Sequence, residues 1–144
     1  MVVLPTLSVL ANELVSAPPL WLTVGKWFVF WAVGWRLLTT GLSQVARPAF
    51  TLLTIFRFGS VESAPIVREL GFANVGTGLA GIVSMYLPSW RVPVAFASCV
   101  FLGTAAAQHA VKGSASREEL VALLTDAFVF LVLAVFVALS FILG

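Results

Sequence analysis

Long apolar runs separated by short polar connections are the main pattern of this chain. A helix needs roughly 20 apolar residues to cross a bilayer, so these runs predict four transmembrane helices. The predicted spans cover residues 20–42, 70–87, 92–111 and 119–143, each to within a residue or two. The pattern therefore favours an all-α integral membrane four-helix bundle, folded as a single transmembrane domain over residues 1–144.

Two further apolar stretches are too short to cross. Residues 6–15 follow Pro5 and include Glu13, so we expect either a short helix at the interface or against the bundle, or a disordered tail. Residues 48–56 would give only about 13 Å of helix. Because this is less than half the hydrocarbon thickness, we expect an interfacial or re-entrant segment between the first and second spans.

The second span is rich in small residues, which let helix backbones approach closely in a membrane. Helical spacing sorts these residues into two ridges, one of which includes Asn74. The residues expected to pack against neighbouring helices are Gly71, Gly76, Gly78, Ala80 and Gly81.

Composition strengthens the membrane assignment and narrows the chemistry. Hydrophobic residues make up 60% of the chain and charged residues 10%, against about a quarter charged in globular proteins. A single cysteine, Cys99, excludes an internal disulfide, and a single histidine excludes haem ligation by two histidines of one chain. We therefore predict no catalytic residue, no metal site and no cofactor. The net charge of +2 is spread over connections, which argues against nucleic-acid binding.

Alternate crossings should bring the polar groups of the last three spans to one end of the bundle. The candidate ligand-binding or proton-binding residues of this polar cup are Glu69, Asn74, Gln108, His109 and Asp126. Asp126 is the sharpest signal, because a carboxylate in an apolar helix costs a few kcal/mol unless it is paired, protonated or facing water. His109, Lys112 and Arg68 are its expected partners, and a purely structural ion pair or hydrogen bond is the competing interpretation.

Basic residues set the expected orientation and anchor the first span. The connections at the polar-cup end carry most of them: Arg47, Arg57, Arg68, Lys112 and Arg117, against Arg91 alone on the other side. The positive-inside bias then predicts that, in the cell membrane, both termini lie outside the cytoplasm. Within the first span, Lys26 and Arg36 lie roughly 9 Å from its two ends, where long side chains can reach the headgroups.

The stretch RELGFANVGTGLAGIVS, followed by a helix ending FLGTAAAQHAVKG, resembles a family of small prokaryotic multi-pass membrane proteins of unknown function. The family pattern is E-x-GFAN, a spaced GxxG, and a helix that ends in small residues and Gly-His. Gln108 stands where the pattern has glycine, and no histidine precedes Pro65. The resemblance covers residues 65–112 and implies a membrane bundle with shared polar residues. A weaker similarity, to the DoxX-like four-helix membrane proteins, implies the architecture. The matching residues are Glu69, Gly71, Phe72, Ala73, Asn74, Gly81, Gly103 and His109.

Three classes of function remain open from the sequence. The first is binding or conduction of a small molecule, ion or proton at the polar cup. The second is a structural or accessory membrane subunit, which would form a homo-oligomer or dock a membrane protein partner through its glycine-rich helix. The third, a membrane enzyme or redox partner, is the weakest, because the chain has one cysteine, one histidine and no cofactor motif. Membrane lipids are expected partners in every case.

Overall fold

The computed structural model describes residues 2–16, 18–51, 63–112 and 117–143, and the regular elements in these ranges are all helical. The predicted all-α class is therefore confirmed. The elements are α1 (Val3–Val15), α2 (Leu20–Phe28), a π-helical segment (Val29–Trp35), α3 (Arg36–Ala46), α4 (Pro48–Phe50), α5 (Ala64–Val83), a 3₁₀ turn (Pro88–Trp90), α6 (Arg91–Lys112) and α7 (Arg117–Leu143).

Three stretches of helix are long and apolar enough to cross a membrane: Ala64–Val83, Pro88–Val111 and Leu120–Leu143. They correspond to the second, third and fourth predicted spans. By length and composition they identify the chain as a membrane protein. The predicted interfacial or re-entrant segment at 48–56 begins as the single turn of α4, and its residues from 52 onwards lie outside the described residues.

The first predicted span forms one unbroken helical run over residues 20–46, which we call the central helix. The π-helical segment does not interrupt this run, because Val29 at its start and Arg36 directly after it both have helical backbone angles. The run begins after Pro19 and ends at Arg47, which leaves the helical region with φ −137° and ψ 59°. A proline follows at once, and the residue before a proline is disfavoured in helical geometry, which explains the stop.

Buried apolar side chains of the central helix form the core together with α6 and α7. Val29, Ala32 and Val33 are fully buried, and they pack in one cluster with Leu102 of α6 and Leu133 of α7. The two halves of the central helix have different main neighbours. Its α2 half lies against α7, whereas α3 and the π-helical segment lie against α5.

Glycines allow the close contact between α5 and the central helix. A Cβ atom added at Gly81 would lie 2.7 Å from the Cα of Gly34, and one added at Gly71 would lie 2.9 Å from the Cβ of Gln44. Gly78 is equally tight, since its Cβ would meet the backbone of the central helix. Gly76 differs, because an added Cβ would meet nothing within 4 Å. The ridge of Gly71, Gly78 and Gly81 thus packs against the central helix, whereas the space beside Gly76 is open.

Helix α1 packs against the central helix and runs antiparallel to it. Asn12 Oδ1 accepts hydrogen bonds from Trp27 Nε1 at 3.3 Å and from Lys26 Nζ at 3.5 Å, and Ser8 Oγ accepts one from Trp31 Nε1 at 3.1 Å. The polar side of α1 therefore faces inward. Its leucines are exposed on the opposite side, at Leu4, Leu7, Leu10 and Leu14. Of the sequence alternatives, the structure shows a helix packed against the central helix and not a disordered tail.

Candidate functional site: a buried ion pair on the central helix

An ion pair joins the central helix to α7 deep within the described helices. Arg36 is the first residue of α3, directly after the π-helical segment, and Nη2 of its guanidinium donates to Oδ1 of Asp126. The two side chains are only 18% and 8% exposed. Asp126 thus has a charged partner, as its place in an apolar helix requires. That partner is Arg36, which the sequence analysis did not expect.

The guanidinium of Arg36 has spare hydrogen-bonding capacity at this site. Its other terminal nitrogen, Nη1, is buried and has no hydrogen-bond partner among the residues that the structure describes. A guanidinium carries five N–H donors, and buried donors in folded proteins are nearly always paired with protein atoms or ordered water. One terminal nitrogen of the buried guanidinium is therefore left without a protein partner in the described ranges.

A second buried polar contact lies nearer the end of the central helix. Nδ2 of Asn74 donates to Oε1 of Gln44 at 2.8 Å, and both residues are 5% exposed. Amide bonds of this kind hold membrane helices together. This contact fixes the register of α5 against α3, in agreement with the glycine packing around it. The simplest role for Asn74 is therefore structural.

The other members of the predicted polar cup lie apart from these two contacts. Glu69 is exposed on α5, Gln108 is exposed near the end of α6, and His109 is half-buried beside it. Within the described ranges, no hydrogen bond or ion pair joins any of these three to Asp126 or Asn74. Among the described residues, Asp126 and Asn74 therefore take part in two separate contacts, with Arg36 and with Gln44, where the sequence predicted a single group.

Sequence reasoning missed Arg36 and Gln44, although a signal for Arg36 was present. From helical rise, Arg36 lies roughly 9 Å inside the end of its span and Asp126 roughly 10 Å inside its own. The end of the first span and the start of the fourth were expected on the same side of the membrane. The similar depths of Arg36 and Asp126 were therefore enough to predict that these two charges pair. Gln44 gave no such signal, because the predicted first span stops at residue 42, two residues before it.

Metal chemistry finds no support in the side chains that the structure describes. In these parts of the chain, no group of three or more histidine, cysteine, aspartate and glutamate residues lies close enough to hold a metal ion. Cys99 is half-buried in α6, with its Sγ 3.8 Å from the carbonyl oxygen of Phe130. It packs as a small apolar residue between α6 and α7.

Comparisons with known proteins give a family but no activity. No curated protein matches the chain, and no solved structure does. The sequence model of one family, described as "Family of unknown function (DUF6790)", matches residues 1–143. This match covers nearly the whole chain and agrees with the resemblance to a family of unknown function. The chain belongs to the DUF6790 family.

Proposed function

We propose that this chain is a multi-pass membrane protein with four crossings, and that it binds a small solute at the Arg36–Asp126 pair. The observation that carries the proposal is Nη1 of Arg36, which is buried and lacks a partner among the described residues. The solute is one with an acceptor oxygen, such as a carboxylate, a phosphate or a carbonyl group.

The fourth crossing in this proposal is the central helix. Residues 20–46 would reach roughly 40 Å at 1.5 Å per residue, which exceeds the hydrocarbon thickness of about 30 Å. The run is antiparallel to α5, since Gly34 lies beside Gly81 and Gln44 beside Asn74. With the excess of basic residues at the Gln44 end, the positive-inside bias favours a cytoplasmic location for that end and for the solute site.

The cost of burying charge argues that the ion pair does more than hold helices together. A buried ion pair adds little to stability, because desolvation offsets most of the attraction between the charges, and apolar residues often replace such pairs without loss. Ionisable residues inside membrane bundles are therefore functional by default. Here one guanidinium arm binds Asp126 and the other has no protein partner, an arrangement better suited to receiving a ligand than to packing alone.

The two side chains would divide the work of binding. Arg36 would donate hydrogen bonds from Nη1 to the acceptor oxygen of the solute. Asp126 would hold the guanidinium in position and balance its charge while the site is empty. Charge-assisted hydrogen bonds of this kind are about twice as strong as neutral ones, which suits recognition inside an apolar bundle.

The proposal is tested with purified protein in lipid nanodiscs, with acetate and inorganic phosphate as probes. Thermal unfolding is followed while each probe is added, because a ligand that binds only the folded state stabilises it by about 2.7 kcal/mol at 100 times its Kd. We expect stabilisation of the unmodified protein and none of Arg36→Gln. Arg47→Gln is the matched control, since Arg47 is exposed and directly follows the central helix. It should respond like the unmodified protein.

A charge-reversed double variant separates binding from packing. Arg36→Asp combined with Asp126→Arg keeps one charge of each sign at the contact but moves the guanidinium to α7. We expect it to recover much of the stability lost in either single variant and still to show no response to the probes. If the unmodified protein also fails to respond to either probe, the pair is structural and the proposal is wrong.

The alternative function is an accessory subunit that docks through the glycine-rich helix. The packing of Gly71, Gly78 and Gly81 within the chain removes much of the reason for that idea, because these glycines already have a partner. Gly76 supports it, since the space beside it is open. The mass of the solubilised particle tests this alternative, and a strict monomer in native-like lipid would count against it.

A further inference from the structure

Polar side chains on one face of α3 lead from the ion pair towards the end of the central helix. Thr40 and Ser43 follow Arg36 by four and seven residues, a spacing that places all three on the same side of a helix. We call Arg36, Thr40 and Ser43 the polar stripe. Thr40 and Ser43 are exposed, whereas the side chain of Arg36 is only 18% exposed. Exposure therefore decreases along the stripe from the end of α3 to the ion pair.

The polar stripe is separate from the other two faces of α3. At about 100° per residue, Gly41 points about 140° away from Arg36, and Leu42 points about 120° away in the other direction. Gly41 belongs to the face that packs against α5, where an added Cβ atom would meet Gly71 and Val75. Leu42 is apolar and 53% exposed, so its face suits contact with acyl chains. The polar stripe thus has neither a helix partner in α5 nor an apolar surface.

The hydroxyl groups of the stripe differ from those of other exposed threonines. A threonine on a helix can satisfy its hydroxyl by donating to a carbonyl oxygen of its own helix. Five threonines do so in this structure: Thr6, Thr39, Thr77, Thr104 and Thr125. Thr40 and Ser43 make no hydrogen bond to any residue in the described ranges. Because an unpaired hydroxyl is costly among acyl chains, these two groups are better suited to water.

The helix that Arg36 reaches does not cover the rest of the stripe. The main neighbour of α3 is α5, whereas the main neighbours of α7 are α6 and α2. Across the residues that the structure describes, the Arg36–Asp126 contact is the one hydrogen bond between α3 and α7. The ion pair therefore marks the place where these helices meet, and Thr40 and Ser43 lie beyond it towards the end of α3.

We propose that the polar stripe is a water-accessible route along which the solute reaches the Arg36–Asp126 pair from the end of the central helix. This inference rests on the proposed solute site and adds the side from which that site opens. The hydroxyls of Thr40 and Ser43 would donate to acceptor oxygens of the solute and replace the water that it loses. Such replacement matters in an apolar bundle, where an oxygen without a partner is costly.

The core closes the route beyond the ion pair. Val29, Ala32 and Val33, in the turns of the central helix that precede Arg36, are fully buried and pack with α6 and α7. Their side chains are apolar and offer a solute no hydrogen bond. The site would therefore open towards the end of α3 alone, in the conformation described here.

Cysteine accessibility tests the route. Thr40→Cys, Ser43→Cys and Leu42→Cys are each made in a Cys99→Ala background, placed in phosphatidylcholine nanodiscs and treated with a charged methanethiosulfonate. We expect the first two to react at least about tenfold faster than Leu42→Cys, because the reactive thiolate is strongly disfavoured among acyl chains. Leu42 lies between the other two positions along the helix, so a difference in depth cannot explain this result. Slow reaction at Thr40→Cys and Ser43→Cys, or equal rates at all three positions, would overturn the route.

Protection by the probe anions separates the route from the solute site. Acetate or inorganic phosphate should slow the modification of Thr40→Cys, one turn from Arg36, and this protection should disappear when Arg36→Gln is added. Fast modification that neither probe slows would support the route but count against solute binding at Arg36. Thermal stabilisation by a probe together with slow modification would have the opposite meaning, since the site would then be reached by another path.

Discussion

Replacing Gly78 with alanine should weaken the contact between α5 and the central helix, whereas the same change at Gly76 should not. A Cβ atom added at Gly78 would meet the backbone nitrogen of Leu38 and would lie 2.8 Å from the carbonyl oxygen of Gly34. Both atoms belong to the backbone of the central helix, so no side-chain rotation relieves the clash. The helices would have to separate.

The size of the effect follows from two opposing contributions. Overpacking a close contact costs about 1–3 kcal/mol, while alanine is favoured over glycine within a helix by up to about 1 kcal/mol. Gly78→Ala should therefore lower the free energy of unfolding by about 1–2 kcal/mol. At Gly76 nothing lies within 4 Å, so Gly76→Ala receives only the propensity gain and should be neutral or stabilising.

Reversible unfolding in mixed micelles, titrated with a denaturing detergent and followed by circular dichroism, measures both variants against the unmodified protein. The two glycines lie on the same helix two residues apart, so each serves as the control for the other. If both variants have the same stability within about 0.5 kcal/mol, the usual error of such comparisons, the helix contact described here is wrong.

Three further predictions test other contacts. Asn74→Ala and Gln44→Ala should each destabilise the fold, with a coupling of about 0.6–2 kcal/mol in a double-mutant cycle; a coupling near zero would mean that their bond does not form in the membrane. Ser8→Ala and Trp31→Phe should each cost about 1 kcal/mol and speed hydrogen exchange in α1, and unchanged exchange would contradict the docking of that helix. Cys99 should resist a water-soluble maleimide in intact membranes and react after unfolding, because it lies midway along α6; rapid labelling of the native protein would refute the crossing.

Periodicity and length were sufficient to predict the helices. The apolar runs gave the three long helices confirmed here and the helical run that contains residues 20–42. Spacing along α5 placed Gly71, Gly78 and Gly81 on one face with Asn74, and this face lies against the central helix, whereas Gly76, which was also expected to pack, has open space beside it. The helices themselves are predictable because they depend on rise and rotation within one segment, which the sequence determines directly.

The pairing of polar groups could be predicted only in part. Asp126 was recognised as a residue in need of a partner, but Arg36 was interpreted as an interfacial anchor. Depth can be counted along a helix, whereas the direction in which it faces its neighbours depends on how the helices pack. The π-helical segment changes the direction in which the following side chains point, beginning at Arg36. No pattern in the sequence predicted this segment. Gln44 was missed for a simpler reason, since the span was ended too early.

The wide turns of the π-helical segment, residues 29–35, affect the Arg36–Asp126 contact and the Gln44–Asn74 contact together. Arg36 and Gln44 both follow this segment, so its length determines the direction in which each side chain points around the axis of the central helix. Each residue of an α-helix advances the azimuth by about 100°, and losing a single residue there would swing both side chains away from α7 and α5 together. Insertions and deletions in this stretch are therefore constrained by the Arg36–Asp126 contact and the Gln44–Asn74 contact at the same time.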